Sequence, residues 1–578
     1  MFTLSANLFR LLGLGLLAAR AVEGANSAPT ARTLNGTYEG LRLPDWDQDA
    51  FLGMPFAQPP VGPLRWRWPQ SINASFEGVR NATAYGHSCM QYGSNFDLSE
   101  DCLTINVVRP SATEDNKPRE PLPVLVWIYG GGLSLGSTAD PQYNLSGIVR
   151  LSQDMGRPMV AVSMNYRLGM WGFLQTPQVV AEGSSNAGLL DQRLALRWIQ
   201  ENIASFGGDP ARVTVWGESA GAQSIAYQMF AYGGRDDGLF RSAILESGGP
   251  TGAQVEALSW YAGAVENLTR AVGCWDSTKD QLACLRSVDQ DSLFAAHPSV
   301  VWNPLLDGDF LTGYPSQLMR EGKFLKVPLI TGANTDETFS LSGRQDTEED
   351  LFDALLSWRS YALTPPTIRR LLELYPDGDD PCYPAPPRAI TNCTQRPGAG
   401  KQWRRGAAIG SDLVMIAQRR KMAELFTSAA GGQQKVYSYR FDQRLWNGSE
   451  WDGVKHFQNV AFSFQNISGL LGPSPEYDSH LGLANAIGKA YVNFVYDADP
   501  NGGGGHKYIN HEGDTKRNAS RSLATPSMQR LPYWPAYDLE RPQNMVLNAT
   551  GSWVEGDDWR REGIAFINTP EVSKELLG

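Results

Sequence analysis

The stretch Phe206–Gly221, FGGDPARVTVWGESAG, decides how this chain of 578 residues is to be read. Val213, Val215 and Trp216 supply an apolar strand that runs into Gly217-Glu218-Ser219-Ala220-Gly221. The segment after it, GAQSIAYQMF, is free of proline and suited to a helix. A G-x-S-x-G turn between strand and helix forces its serine into a strained backbone conformation at the strand tip, with the hydroxyl exposed. The flanking glycines are needed because a Cβ there would collide as strand and helix approach. A helix N-terminus aimed at the serine suits a developing anion. Ser219 is therefore the candidate nucleophile. The motif alone is short enough to arise by chance in a chain with 59 glycines, so its company matters.

The first companion is Pro123–Gly136, PVLVWIYGGGLSLG. Val124 to Ile128 form a continuous apolar run of the kind buried on both faces of a parallel sheet. It ends in Gly130-Gly131-Gly132. No Gly-Lys-Ser/Thr follows, so a phosphate-cradling loop is a poor reading. Backbone N–H groups bare of side chains suit an oxyanion hole better, with a plain tight turn as the alternative. A serine hydroxyl is too weakly acidic to attack an ester unaided and needs a histidine base oriented by a carboxylate. With this kind of turn the chain order is serine, acid, histidine. That order removes His87 and leaves His297, His456, His480, His506 and His511. Gly332–Glu337, GANTDE, follows the apolar run Val327–Ile330 and puts Asp336 and Glu337 at the carboxyl end of a strand, where open α/β sheets place their sites. His456 stands between a polar loop and a helical stretch. His480 follows a Pro-Glu-Tyr turn, and His506 and His511 flank a glycine-rich loop; these three read as surface residues. Spacing does not choose among the candidates.

The serine turn, taken with Glu100–Pro110 (EDCLTINVVRP), resembles both signatures of the type-B carboxylesterase/lipase family, which includes secreted carboxylesterases, fungal lipases and cholinesterases. The resemblance runs from YEGLRL and FLGMPFAQPPVGPLRW through NYRLGMWGFL and NAGLLDQRLALRWIQENIASFGGDP to LLDGDF and WPAYD, nearly the whole mature chain. It implies an α/β-hydrolase fold with a large, mostly parallel central sheet flanked by helices. It implies Ser219 as nucleophile, Glu337 as acid, His456 as base, and the N–H groups of Gly131, Gly132 and Ala220 as the oxyanion hole. The family usually has glycine after the acid; here it is Thr338, which leaves Asp336 as a rival to Glu337. Ser247 in LESGGP resembles a serine near the triad acid, and a strand-end turn explains it about as well. The expected reaction is hydrolysis of a small-molecule ester through an acyl-enzyme, with no metal or organic cofactor. Activity should fall below about pH 6–7, because the base must be neutral.

The length would suit three or four average domains, but no linker, repeat or charge block divides the chain, so residues 25–578 read as a single domain. Residues 1–24 read as a signal peptide. Arg10 precedes an apolar run from Leu11 to Ala19, and Ala19-Arg20-Ala21 offers a cleavage motif. That run is short of the roughly 20 residues a bilayer demands. The C-terminal PEVSKELLG shows no anchor tail or ER-retention signal. The expectation is a secreted protein without a stable membrane anchor. N-x-S/T sequons at Asn35, Asn73, Asn81, Asn144, Asn267, Asn392, Asn447, Asn466, Asn518 and Asn548 agree with that route. A net charge of −11 disfavours nucleic acid and anionic membrane surfaces as partners. Six cysteines in an oxidising route suggest three disulfides. Nearest-neighbour pairing gives Cys89–Cys102, Cys274–Cys284 and Cys382–Cys393, and the family resemblance supports the first. No CxxC or HxxxH spacing suggests zinc. Oligomeric state is not legible.

The first cysteine loop bears on substrate class. In the related fungal lipases the equivalent disulfide closes a long amphipathic lid. Here only MQYGSNFDLSED lies between the cysteines, too short and polar for such a lid. The expectation is a lidless carboxylesterase acting on soluble esters, with lipase, sterol esterase or a pathway-specific ester or lactone hydrolase as alternatives. Cholinesterases hold a quaternary ammonium with aromatic rings, notably tryptophan; this loop offers Tyr92 and Phe96 but no tryptophan. Some family members have lost the triad and act as adhesion proteins, and the matching serine, acid and histidine argue against that role here.

Overall fold

The apolar runs flanking the glycine and serine turns become neighbouring strands at the centre of one sheet. The computed structural model describes residues 28–111, 120–252, 254–276, 280–337, 343–358, 362–378, 397–431, 434–445, 453–465, 478–502 and 529–576. The 1–24 segment, the Cys382–Cys393 pair, His506, His511 and the sequons at Asn392, Asn447, Asn466 and Asn518 lie outside these. In chain order the strands of the large sheet are β1 (Leu41–Leu43), β2 (Gln48–Pro55), β3 (Thr104–Pro110), β4 (Leu122–Ile128), β5 (Val160–Met164), β6 (Gly208–Glu218), β7 (Ser242–Glu246), β8 (Leu329–Asn334), β9 (Val436–Phe441), β10 (Gln543–Leu547) and β11 (Trp553–Gly556). Their spatial order is β11-β10-β9-β8-β7-β6-β4-β5-β3-β2-β1. β5, β4, β6, β7, β8, β9 and β10 run parallel, and antiparallel strands finish both edges.

Every residue of β4, β5 and β7 is buried, as parallel strands covered on both faces require. The helices α1 (Ala187–Asn202), α2 (Ala220–Gly234) and α3 (Asp478–Asp497) lie in the flanking layers, and α2 and α3 both pack on β4 and β6. The sheet order changes direction at β4, because β5 lies on one side of it and β6 on the other. Open α/β sheets bind ligands at such a point, beyond the carboxyl ends of the strands. An aromatic cluster fastens the same region. Trp127 and Trp216 are register partners on β4 and β6 with ring centroids 4.5 Å apart, and Phe464 stacks on Trp216 at 4.4 Å.

Two disulfides are formed, Cys89–Cys102 and Cys274–Cys284, as expected from the spacing. Asn73, Asn81, Asn144 and Asn267 are exposed. Asn548 is a correction: it is fully buried, and its Nδ2 donates to Asp442 O at 2.6 Å, so no glycan can attach there. Asn35 is half-buried with Nδ2 donating to Ile72 O and Ala74 O, each at 3.2 Å. His480 also departs from its reading as a surface residue. It lies in the first turn of α3, buried, with Nε2 3.1 Å from Gln443 Nε2.

The closest approach in the sheet centre is between β4 and α2. A Cβ on Gly221 would sit 2.0 Å from Ile128 O, and one on Gly217 would sit 2.7 Å from the Gly221 carbonyl carbon. Neither obstacle is a flexible side chain, so the backbone itself must move. Gly221→Ala should therefore destabilise the protein by about 3 kcal/mol or more, the upper end of overpacking effects. Thermal and urea melts of the variant beside wild type would measure it; an unchanged midpoint would contradict this packing.

Candidate active site

Ser219 sits between β6 and α2 with φ 55° and ψ −125°, a conformation that costs a non-glycine residue about 1–3 kcal/mol. Two backbone bonds hold it there. Ser219 N donates to Glu246 O at the end of β7, and Gln223 N donates to Ser219 O, both at 2.9 Å. The strain turns the hydroxyl towards His456, whose Nε2 is 2.8 Å from Ser219 Oγ. His456 Nδ1 is 2.6 Å from Glu337 Oε2. The other carboxylate oxygen of Glu337 accepts the Asn334 backbone N–H at 2.6 Å, which fixes the acid at the carboxyl end of β8.

Of the histidines and acids weighed from sequence, the structure brings His456 and Glu337 to Ser219. Asp336 points elsewhere. Its Oδ2 accepts from Val454 N and its N donates to Val454 O, each at 3.0 Å. Asp336 thus braces the segment that carries His456. His297 stacks against Tyr92 with ring centroids 3.9 Å apart, and exposed His87 pairs with Asp97 at 2.9 Å. Ser247 is fully buried at φ 48°, and its Oγ makes no hydrogen bond.

The glycine loop faces the serine across neighbouring strands. Gly131 and Gly132 both have positive φ, 106° and 63°. A Cβ on Gly131 would meet Leu135 O at 2.1 Å. Ala220 opens α2, so its N–H is one of the donors a helix start leaves unpaired. Gly131, Gly132, Ser219 and His456 line a cavity of about 670 Å³. The Cys89–Cys102 loop forms part of its rim through Ser94, Asn95 and Phe96. That loop is tied down: Gln91 exchanges two hydrogen bonds with the Gly136 backbone at 2.8 and 2.9 Å. Tyr92 stacks on Phe294 at 4.3 Å and donates its hydroxyl to Phe294 O.

Several supporting residues were not recognised from sequence. Glu246 is completely buried at the end of β7, where it accepts from Tyr491 Oη at 2.5 Å and Asn459 Nδ2 at 3.0 Å. Asn334 Nδ2 donates to Asn459 Oδ1 at 3.2 Å and to Lys455 O, beside His456, at 2.7 Å. The backbone of Ser219, the turn at residues 334–337 and the segment that carries His456 thus meet in one polar network. Its residues lie in LESGGP, GANTDE and GVKHFQNV, but only spatial proximity marks them as a set.

Electrostatics add a further group, Glu218, whose Oε1 is 3.3 Å from His456 Nε2. Burial pushes the Glu218 carboxyl up to about 8; His456 opposes the rise, while Glu337 and Glu246 add to it. Burial raises Glu246 to about 7, opposed by the Tyr491 and Ser463 hydrogen bonds. For His456, burial lowers the pKa, but Glu218 and Glu337 outweigh it and raise the imidazole to about 9. An acidic limb at pH 6–7, expected of an unperturbed histidine, is therefore moved upward. The same negative field favours the imidazolium that forms when a serine proton is taken up.

Residues 27–558 match the model of the carboxylesterase family. The chain is 35% identical to Lipase 4 of Diutina rugosa over 83% of this chain and 88% of that one. It is 33% identical to Secreted lipase 1 of Botryotinia fuckeliana over 80% of this chain and 83% of that one. The crystal structure of Aspergillus niger EstA superimposes with a TM-score of 0.78 at 27% identity, covering 96% of this chain and all of that one. The sheet, the flanking helices and these matches agree: the chain belongs to the carboxylesterase family, has the α/β-hydrolase fold and is a carboxylic ester hydrolase.

Proposed function

We propose that Ser219, His456 and Glu337 carry out this hydrolysis as nucleophile, general base and orienting acid. The observation that carries the proposal is the pair of short contacts from Ser219 Oγ to His456 Nε2 and from His456 Nδ1 to Glu337 Oε2. His456 takes the serine proton as Oγ attacks the ester carbonyl, then returns it to the leaving alcohol. Water, deprotonated by the same imidazole, releases the acid from the acyl-enzyme. Glu337 keeps Nδ1–H in place and stabilises the imidazolium. The N–H groups of Gly131, Gly132 and Ala220 receive the oxyanion, each donor worth about 3–4 kcal/mol of barrier. Asn334, Asn459 and Glu246 hold this geometry without touching substrate.

The favoured substrate is a soluble, short-chain ester. Support comes from the cavity rim, where the cysteine loop is short and fastened by Gln91 and Tyr92 rather than free to swing as a lid. A lipase is the second reading, favoured by the relatives whose names say lipase. An extracellular site of action accords with the two disulfides, four exposed sequons and a relative described as secreted. Among the described residues no helix is long and apolar enough to cross a membrane. We take residues 25–578 as a single domain, since one site draws on segments from Gly131 to His456.

Hydrolysis of p-nitrophenyl esters from acetate to palmitate tests the reading. Ser219→Ala should lower kcat by about 10⁴-fold or more with KM little changed, and wild type should prefer the short esters. Activity surviving in the variant would remove Ser219 as nucleophile, and a long-chain preference would return the lipase reading.

The base must be neutral, and Glu218 and Glu337 stabilise its protonated form, so kcat/KM should still be rising with pH above 7. Glu218→Gln deletes one stabilising charge, lowers the His456 pKa and should shift the acidic limb down by about one pH unit or more. A limb that stays put in this variant would mean that Glu218 does not set it.

Asn459→Ala should reduce kcat by roughly tenfold, in the range of a lost buried hydrogen bond to a charged group, with KM nearly unchanged. Glu246→Gln, which keeps an acceptor, should retain most of the activity. Equal losses in both variants would point to a requirement for the Glu246 charge instead.

A further inference from the structure

A second cleft, of about 350 Å³, opens away from the catalytic cavity and shares no lining residue with it. Its floor is the outer face of α1. Leu190 and Leu194 lie one turn apart there, as do Arg193 and Arg197. Trp68 and Tyr232 contribute aromatic rings, and Asn73 stands at the edge. Trp68 is 53% exposed, unusual for the largest apolar side chain when no partner covers it.

Arg193 lies almost wholly within the protein beneath the cleft. Arg193 is 4% exposed. Its Nη1 donates to Gln228 Oε1 at 3.1 Å and its Nη2 pairs with Asp237, yet its Nε makes no hydrogen bond. That Nε is enclosed by protein, so Arg193 supports the floor of the cleft rather than reaching into it. Arg193 also lies over the Tyr232 ring at 5.1 Å, and Arg235 covers the ring's surroundings at 4.2 Å. Tyr232 is turned outward by a break in α2, with φ 55° and ψ 37°.

An exposed aromatic face, the guanidinium of exposed Arg197 and an apolar floor form a surface complementary to a pyranose. The C–H face of the sugar stacks on the ring, and its hydroxyls accept from the guanidinium and amide groups. Asn73 heads the sequon Asn73-Ala74-Ser75, and all three residues are exposed. We propose that Asn73 is N-glycosylated and that the first sugars of its glycan occupy this cleft, stacked on Trp68 and hydrogen-bonded by Arg197. In the covalent step the Asn73 amide nitrogen bonds to C1 of an N-acetylhexosamine and gives up a proton. The diphosphate of a lipid-linked oligosaccharide donor departs. The glycan covers the tryptophan, so it acts as part of the folded surface. Asn81, Asn144 and Asn267, also exposed, do not line this cleft.

The proposal rests on the extracellular reading, and one experiment separates the two. Protein secreted from a glycosylating eukaryotic host is treated under native conditions with an endoglycosidase, and release at each sequon is followed by peptide mass spectrometry. Asn73 should be occupied, and its glycan should be released about five- to tenfold faster in Trp68→Ala or Arg197→Gln than in wild type, as expected for loss of one aromatic stacking contact. Ester hydrolysis should be unchanged in both. Occupancy at other sequons with Asn73 bare would overturn the cleft while leaving the extracellular reading intact. The same holds if release from Asn73 is equally fast in wild type and both variants. Absence of glycan at every sequon would overturn both. Arg197 is exposed, so Arg197→Gln keeps the test open if Trp68→Ala fails to fold. Free N-acetylglucosamine, titrated into Asn73→Gln protein, distinguishes a general sugar site, which would bind it measurably, from a cleft that depends on the tethered chain.

Discussion

The contact between the carbonyl of Ile128 and the backbone of Gly221 is the constraint on which the rest of the site depends. It brings the end of β4 against the start of α2 at a distance no side chain permits. Since β4 and β6 are parallel neighbours in register, with Gly217 opposite Ile128, the glycine loop and the serine emerge side by side. Gly130 tightens the same junction, for a Cβ there would lie 2.5 Å from Glu218 O. The positions of the glycine loop and of Ser219 are thus properties of the sheet itself and do not rely on a loop finding its place.

The elements legible in the sequence were those whose physics is local. A continuous apolar run followed by glycines reads as a buried strand and its turn, and both Val124–Ile128 and Val213–Glu218 lie within such strands. Ser219 was legible for the same reason. The acid and the base were not separable by spacing, because the distinction between Asp336 and Glu337 is rotational. Adjacent residues at a strand end point in different directions, and one braces Val454 while the other meets His456. His480 read as a surface residue because its neighbours are turn formers, but the start of α3 buries it. Asn548 carries a perfect sequon with a fully buried asparagine, which no three-residue pattern can reveal. The Glu246–Asn459–Asn334 network was invisible because its members belong to three strands or loops distant in sequence.

Placing two carboxyl groups against one imidazole, with a third buried at the end of β7, is poor practice for stability and good practice for chemistry. Glu218, Glu246 and Glu337 are all at most 2% exposed, and burial works against the charge of a carboxylate. Two of the three are tied elsewhere, Glu246 by Tyr491 and Asn459 and Glu337 by the Asn334 N–H, while Glu218 Oε1 makes no hydrogen bond and faces His456 at 3.3 Å. The field they create is preorganised, so little reorganisation is needed when charge appears on the histidine. Functional sites are where local rules of good packing are expected to fail, and this one fails in a direction that serves proton transfer.

The spread of the proposed triad along the chain has a consequence for biogenesis. Ser219 and His456 are separated by 237 positions and His456 and Glu337 by 119. Closing such long loops is entropically slow and is rewarded only when the parallel strands between them have paired. The nucleophile turn can form as soon as β4, β6 and α2 meet, whereas the base arrives only after β8 and β9 have joined the sheet. A nascent or partly folded chain therefore holds a strained serine with no base to activate it. On the proposed mechanism, activity therefore requires β4, β6, β8 and the His456 segment to be in place together.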